Sequence, residues 1–135
     1  MPVPPQAVWD ALADPAGYGY WVVGSKEIRD AEPGFPAPGT KFHHTIGFGP
    51  LTLQDHTEVI EAVEPRFLWL RAKGRPLGTA KVILRMTPLD GGTSVEIEED
   101  PDGAYSLLRL NPLLQIATKV RNAESLMRLE ELALR

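Results

Sequence analysis

Among the side chains able to move protons, His44 and Asp55 stand at the most telling spacing. If Gly49-Pro50 makes a tight turn, the segments on either side form an antiparallel hairpin whose partners share a constant number sum, and His44 falls opposite Asp55. A carboxylate beside an imidazole fixes its tautomer and raises its basicity, as a general base or a ligand-anchoring donor requires. The same pair also reads as two buried polar groups that satisfy each other across neighbouring strands. Register decides: a slip of one residue exchanges His44 for His43. In this register His43 and His56 share the other face, so the three histidines do not converge on a metal, and none is expected. The chain has no cysteine, which removes thiolate catalysis, disulfides and Cys-ligated zinc together. A Gly-rich phosphate loop, a Ser-His-Asp order and paired catalytic carboxylates are also missing, and no cofactor is expected.

Such a pair must be held by strands, and the strand pattern continues beyond the first hairpin. Phe42, His44, Ile46 and Phe48 fall opposite Thr57, Asp55, Leu53 and Leu51, a face that is apolar except at its centre. Lys41, His43 and Thr45 against Glu58, His56 and Gln54 make the solvent face. Carried through a turn at Glu64-Pro65, the apolar face brings Leu70 beside Val59 and Ala72 beside Thr57. The next hairpin adds Ala80, Val82, Leu84 and Met86. Past Leu89-Asp90-Gly91-Gly92, the strand TSVEIEED places Val95, Ile97 and Glu99 inside and Ser94, Glu96 and Glu98 outside. A curved antiparallel meander with one buried face is predicted.

Helices flank this meander. Pro4 and Pro5 suit a first helical turn, Val8, Trp9 and Leu12 repeat at helical spacing, and Asp14-Pro15 ends the helix. The segment AEPGFPAPGT, Ala31 to Thr40, reads as a loop. Asn111-Pro112 is a cap followed by proline, and no glycine or proline interrupts Leu113 to Arg135. The stripe Leu113, Ile116, Ala117, Val120, Ala123 and Met127 is expected to cover the sheet, with Glu124–Arg128 and Glu131–Arg135 as surface ion pairs.

Composition bounds the function. A chain of 135 residues suits a single domain with one core, burying roughly two thirds of its unfolded surface. Hydrophobic residues at 43% and charged residues at 24% are ordinary globular usage, which disfavours disorder and coiled coil. The net charge of -4, without a basic run, argues against nucleic acid and anionic membrane surfaces as partners. No apolar run is long enough for a membrane span and the first residues lack a signal-peptide pattern, so a cytoplasmic location is expected.

The order of these elements resembles the Bet v 1-like, helix-grip superfamily (SRPBCC), which includes START domains and the polyketide cyclase/dehydrase and lipid-transport proteins. The matching residues are Pro5, Val8, Trp9, Leu12, Asp14, Pro15, Tyr18 and Trp21, then Gly39, Gly49-Pro50, Glu64-Pro65-Arg66 and Gly92-Thr93, and the closing RNAESLMRLEELA. The resemblance spans nearly the whole chain. It implies an α+β fold, a curved antiparallel sheet wrapped around a long C-terminal helix with two short N-terminal helices, as one domain over residues 1–135. One departure stands out. Only Met1, Pro2 and Val3 precede the prolines where the family has a full strand, so either the true start lies upstream or the last strand lacks an edge partner. An open last strand is a pairing hazard, and a monomer or weak homodimer is expected.

The resemblance also implies a cavity between sheet and helix that holds a hydrophobic small molecule such as a lipid, fatty acid or polyketide. Its implied lining is Phe42, Ile46, Thr57, Leu70, Ala72, Ala80 and Val82 from the sheet and Ile116 and Val120 from the helix. The competing reading is a core filled by larger neighbours. Glu99 at its strand end either holds a ligand hydroxyl or sits solvated at the rim. Tyr105, beyond the Pro101-Asp102-Gly103 turn, either bonds a ligand at the mouth or packs there. A binding or transport function is the leading expectation. A cyclase or dehydratase using His44 assisted by Asp55, and a protein-interaction module using the open strand edge, are the alternatives.

Overall fold

The computed structural model describes residues 1–22, 25–48, 51–73, 79–102 and 112–135, and among 25–29, 44–48, 51–54, 101–102 and 114 the backbone only. Pro4 is extended and Pro5 occupies the first turn of α1, Pro5–Ala13, which buries Val8, Trp9 and Leu12 on one side. Asp14 stops it in an extended conformation, and its carboxylate accepts the Ala16 N–H at 3.1 Å to open a 3-10 turn over Pro15–Gly17. A single-turn α2, Tyr18–Trp21, follows.

Six strands come next: β1 Ser25–Ala31, β2 Lys41–Phe48, β3 Leu51–Val63, β4 Phe67–Lys73, β5 Thr79–Leu89 and β6 Gly92–Asp102. They pair antiparallel in chain order. The predicted registers hold: His44 opposes Asp55, Phe42 opposes Thr57, Leu70 opposes Val59 and Ala72 opposes Thr57. Strand β1 was not predicted from the sequence, because SKEIRDA has only Ile28 and Ala31 as apolar residues and shows no alternation. It pairs with β2 through two register shifts, another reason that a regular pattern is absent.

The aromatic cluster near the start of the chain becomes the plug between the short helices and the sheet. Tyr18 packs with Phe42 at 4.7 Å and Trp21 at 4.9 Å between ring centroids, while Phe35 meets Phe42 edge-on at 5.4 Å. Burial pushes the Tyr18 phenol well above its ordinary pKa, and its hydroxyl stays satisfied by donating to the Leu12 carbonyl at 2.8 Å.

Helix α3, Pro112–Ala133, is the long C-terminal helix of the fold. Its rotation differs from the sequence expectation. The stripe expected to cover the sheet faces outward, with Leu113 77%, Ile116 60%, Val120 67% and Met127 62% exposed. The buried face carries Asn122, Ser125, Leu129 and Ala133, flanked by Leu126 and Leu132. The C-terminal half sets this rotation. Leu129 is fully buried, Leu132 lies against Gly17, Arg128 donates to the Tyr20 carbonyl at 3.3 Å, and the Tyr20 hydroxyl donates to Glu131. With that half fixed on α1 and α2, a helical repeat of 3.6 residues carries residues 113, 116 and 120 outward. Glu124 pairs with Arg128 as expected, at 3.1 Å.

At the other end of the chain, Met1 joins the sheet. The Met1 ammonium donates to the Thr93 carbonyl at 3.0 Å, the Thr93 N–H donates to the Met1 carbonyl at 2.8 Å, and the Thr93 hydroxyl donates to the Val3 carbonyl at 2.7 Å. Gly92 is required here, because a Cβ would overlap the Met1 carbonyl.

Candidate functional site

The inner surface of the sheet is organised as rows that cross the strands. Phe42, Thr57, Ala72 and Ala80 oppose one another in sequence across β2 to β5. Val59, Leu70, Val82 and Glu99 form the neighbouring row across β3 to β6. Phe42, Thr57 and Leu70 are buried, whereas Ala72, Ala80, Val82 and Glu99 are half-buried. The two-residue side-chain period of each strand holds all of these on one face. The structure therefore brings the sheet residues Phe42, Thr57, Leu70, Ala72, Ala80, Val82 and Glu99 into one patch.

Away from its exposed stripe, α3 carries a polar and small surface: Thr118 and Arg121 half-buried, Asn122 and Ser125 buried. Arg121 forms an ion pair with the Glu99 carboxylate, so the helix is tied to the end of the second row. Ile116 and Val120 do not join the lining, for the rotational reason given above. Sequence reasoning missed Arg121, Asn122 and Ser125. Beside an apolar stripe on the opposite side, a polar row looks like the solvent face of an amphipathic helix. Between β6 and α3 lies an open groove of about 390 Å³, with Ile97, Ala123 and Leu126 as its apolar lining and Glu96, Glu98, Lys119 and Asn122 around them.

Asp55 is buried, and its Oδ1 accepts the His56 backbone N–H at 3.0 Å while lying 3.9 Å from His56 Nδ1. Burial lowers the His56 pKa from its ordinary value, and the cations Lys73 and Lys41 lower it further against the opposing pull of Asp55. His43 stands on the same outer face as His56, with ring centroids 6.0 Å apart, and its Nε2 lies 3.8 Å from Asp30. The backbone register sets His44 opposite Asp55, but the side chains of His44 and Ile46 lie outside the described set, as does Tyr105 entirely. Trp21 Nε1 is buried without an acceptor among the described residues, an arrangement that costs about 1–3 kcal/mol until a partner arrives.

Among the described residues, no helix is long and apolar enough to cross a membrane. No curated protein matches the sequence. Solved structures do match its fold. Ara h 8.0201 superposes with a TM-score of 0.74 at 17% identity, covering 99% of this chain and 92% of that one. A protein from Nitrosomonas europaea gives 0.73 at 17% identity, covering 98% and 88%. The AHSA1-like protein from Aeromonas hydrophila gives 0.65 at 19% identity, covering 97% and 87%. At such identities the likeness is one of fold: the helix-grip arrangement of the Bet v 1-like superfamily. The sequence itself matches, over residues 1–133, the family described as polyketide cyclase / dehydrase and lipid transport, and the chain belongs to that family.

Proposed function

We propose that the protein binds a hydrophobic small molecule with one polar end, in the space between the inner face of the sheet and α3. One observation carries this reading. An apolar sheet patch built from Phe42, Leu70, Ala72, Ala80 and Val82 stays partly uncovered at its alanines and Val82, and α3, tied to the end of that patch by the Arg121–Glu99 pair, carries Thr118, Arg121, Asn122 and Ser125 on its covered side. Polar and small side chains cannot complete a dry core against such a patch, whereas an amphiphile meets both surfaces. Its apolar body lies on the sheet rows and its hydroxyl or carboxyl end lies toward α3. Fatty acids, lipid fragments and polyketide-like molecules fit that description, and the family's own description supports the same class. The domain is read as one unit acting as a carrier or sensor.

The test is competition against an environment-sensitive apolar dye. Fatty acids and long-chain alcohols are expected to displace the dye, and alkanes of equal length to displace it less well. Equal displacement by the alkanes would remove the polar end from the reading, and no dye binding at all would remove the site. Native mass spectrometry of protein purified from its own host would then identify the retained molecule.

A further inference from the structure

Trp21 closes α2 with its side chain buried, 2% exposed, and its Nε1–H finds no acceptor among the described residues. The ring is held on a chain of aromatic contacts that leads onto the inner face of the sheet. Tyr18 stands 4.9 Å from it between centroids, and Phe42 stands 4.7 Å from Tyr18. Phe42 opens the row that continues through Thr57, Ala72 and Ala80. Phe35 closes edge-on upon the same two rings, 5.8 Å from Tyr18 and 5.4 Å from Phe42. The Tyr18 hydroxyl is turned to the Leu12 carbonyl, and a ring face accepts an N–H only weakly. An indole nitrogen donates and never accepts, so only an acceptor brought to it relieves the cost of its burial.

We infer that this N–H is a recognition group for the ligand of the sheet patch, and that it reads a neutral oxygen without a proton of its own: a ketone, ester or ether within the ligand's apolar body. The inference rests on the ligand reading proposed above and narrows it. The surroundings of the ring set the class. A carboxylate would carry a full charge in among Tyr18, Phe35 and Phe42, where its desolvation costs far more than one hydrogen bond returns. A hydroxyl accepts the N–H but brings a second donor, which the same rings would leave unpaired in turn. A ketone, ester or ether oxygen satisfies the indole and adds no donor. The ligand therefore carries two polar features, an end group for α3 and an oxygen inside the chain. That distinguishes an oxygenated chain from a saturated fatty acid.

The test compares, on the whole protein, a long-chain primary alcohol with a series of the same alcohol bearing one ketone at successive positions. Every member keeps the polar end that the ligand reading requires. Binding is followed by dye displacement and by the indole N–H resonances of isotope-labelled protein. The Trp21 signal is the one of three that Trp21→Phe removes. At the ketone position that reaches the ring, binding is expected to tighten about tenfold over the parent alcohol. The Trp21 N–H is expected to move downfield and to exchange more slowly, and those of Trp9 and Trp69 to stay. Trp21→Phe keeps an aromatic ring and drops the donor, so the ketone's advantage is expected to vanish while the parent alcohol still binds. Where that variant does not fold, the resonance of the unaltered protein decides alone, Trp21 being assigned through its contact with Tyr18. If the alcohol binds but no ketone gains over it, or the Trp21 resonance stays unmoved by them all, the inference is overturned and the ligand reading stands. If neither the alcohol nor any ketone binds, both fall together.

Discussion

Arg121 of α3 and Glu99 of β6 form an ion pair that ties the long helix to the edge strand, at the end of the row running through Val59, Leu70 and Val82. The Arg121 side chain is 40% exposed and that of Glu99 18%, so water screens part of their attraction. A double-mutant cycle with Arg121→Ala and Glu99→Ala is expected to give a coupling of about 0.5–1 kcal/mol that shrinks as salt is added. A coupling indistinguishable from zero at low salt would show that the helix is held without it.

The rotation of α3 is tested by substituting its two sides. Leu129→Ala empties a fully buried site and is expected to cost about 2–5 kcal/mol in denaturant unfolding. Val120→Ser alters a side chain that is 67% exposed and is expected to stay within about 0.5 kcal/mol of the parent. The reverse ranking would restore the stripe of Ile116 and Val120 to the interior.

His56 gives the protein a dependence on pH. Burial, then Lys73 and Lys41, hold its pKa below the ordinary 6.5. Between the lowered value and 6.5 the unfolded chain binds more protons than the folded one, so stability rises with pH in that window. The cost is fully present below the folded value and gone above 6.5. Melting temperatures across this range are expected to fall on acidification, and His56→Gln to fall less. An equal fall in the variant would assign the effect to other groups.

His44 separates a carrier from an enzyme. In a carrier, His44→Ala is expected to change ligand affinity modestly, on the order of the 1 kcal/mol of one hydrogen bond. A cyclase would instead lose about two to four powers of ten in turnover of a polyketone panel, with affinity changing far less. Turnover and binding measured on both variants distinguish the two.

The sheet was legible because each strand from β2 to β6 carries the two-residue alternation that fixes its register, and one correct turn fixes the next. The His44–Asp55 and Val59–Leu70 alignments followed from that arithmetic. Helix α3 was legible as a helix but not in its orientation. Its sequence offers two faces of similar polarity: Leu113, Ile116, Val120 and Met127 on one, and Leu126, Leu129, Leu132 and Ala133 beside Asn122 and Ser125 on the other. Which face turns inward is decided by Gly17, Tyr20 and the short helices, contacts more than a hundred positions away in the chain. The polar side of the candidate site was hidden for the same reason.

Val82→Trp tests the central claim most directly. Val82 is half-buried on the inner face, between Leu70 and Glu99 in the second row. If a ligand space lies over it, the indole enters that space, dye binding is lost, and the melting temperature stays near that of the parent. Overpacking a filled core instead costs about 1–3 kcal/mol. A marked fall in stability, or dye binding equal to that of the parent, would contradict the account.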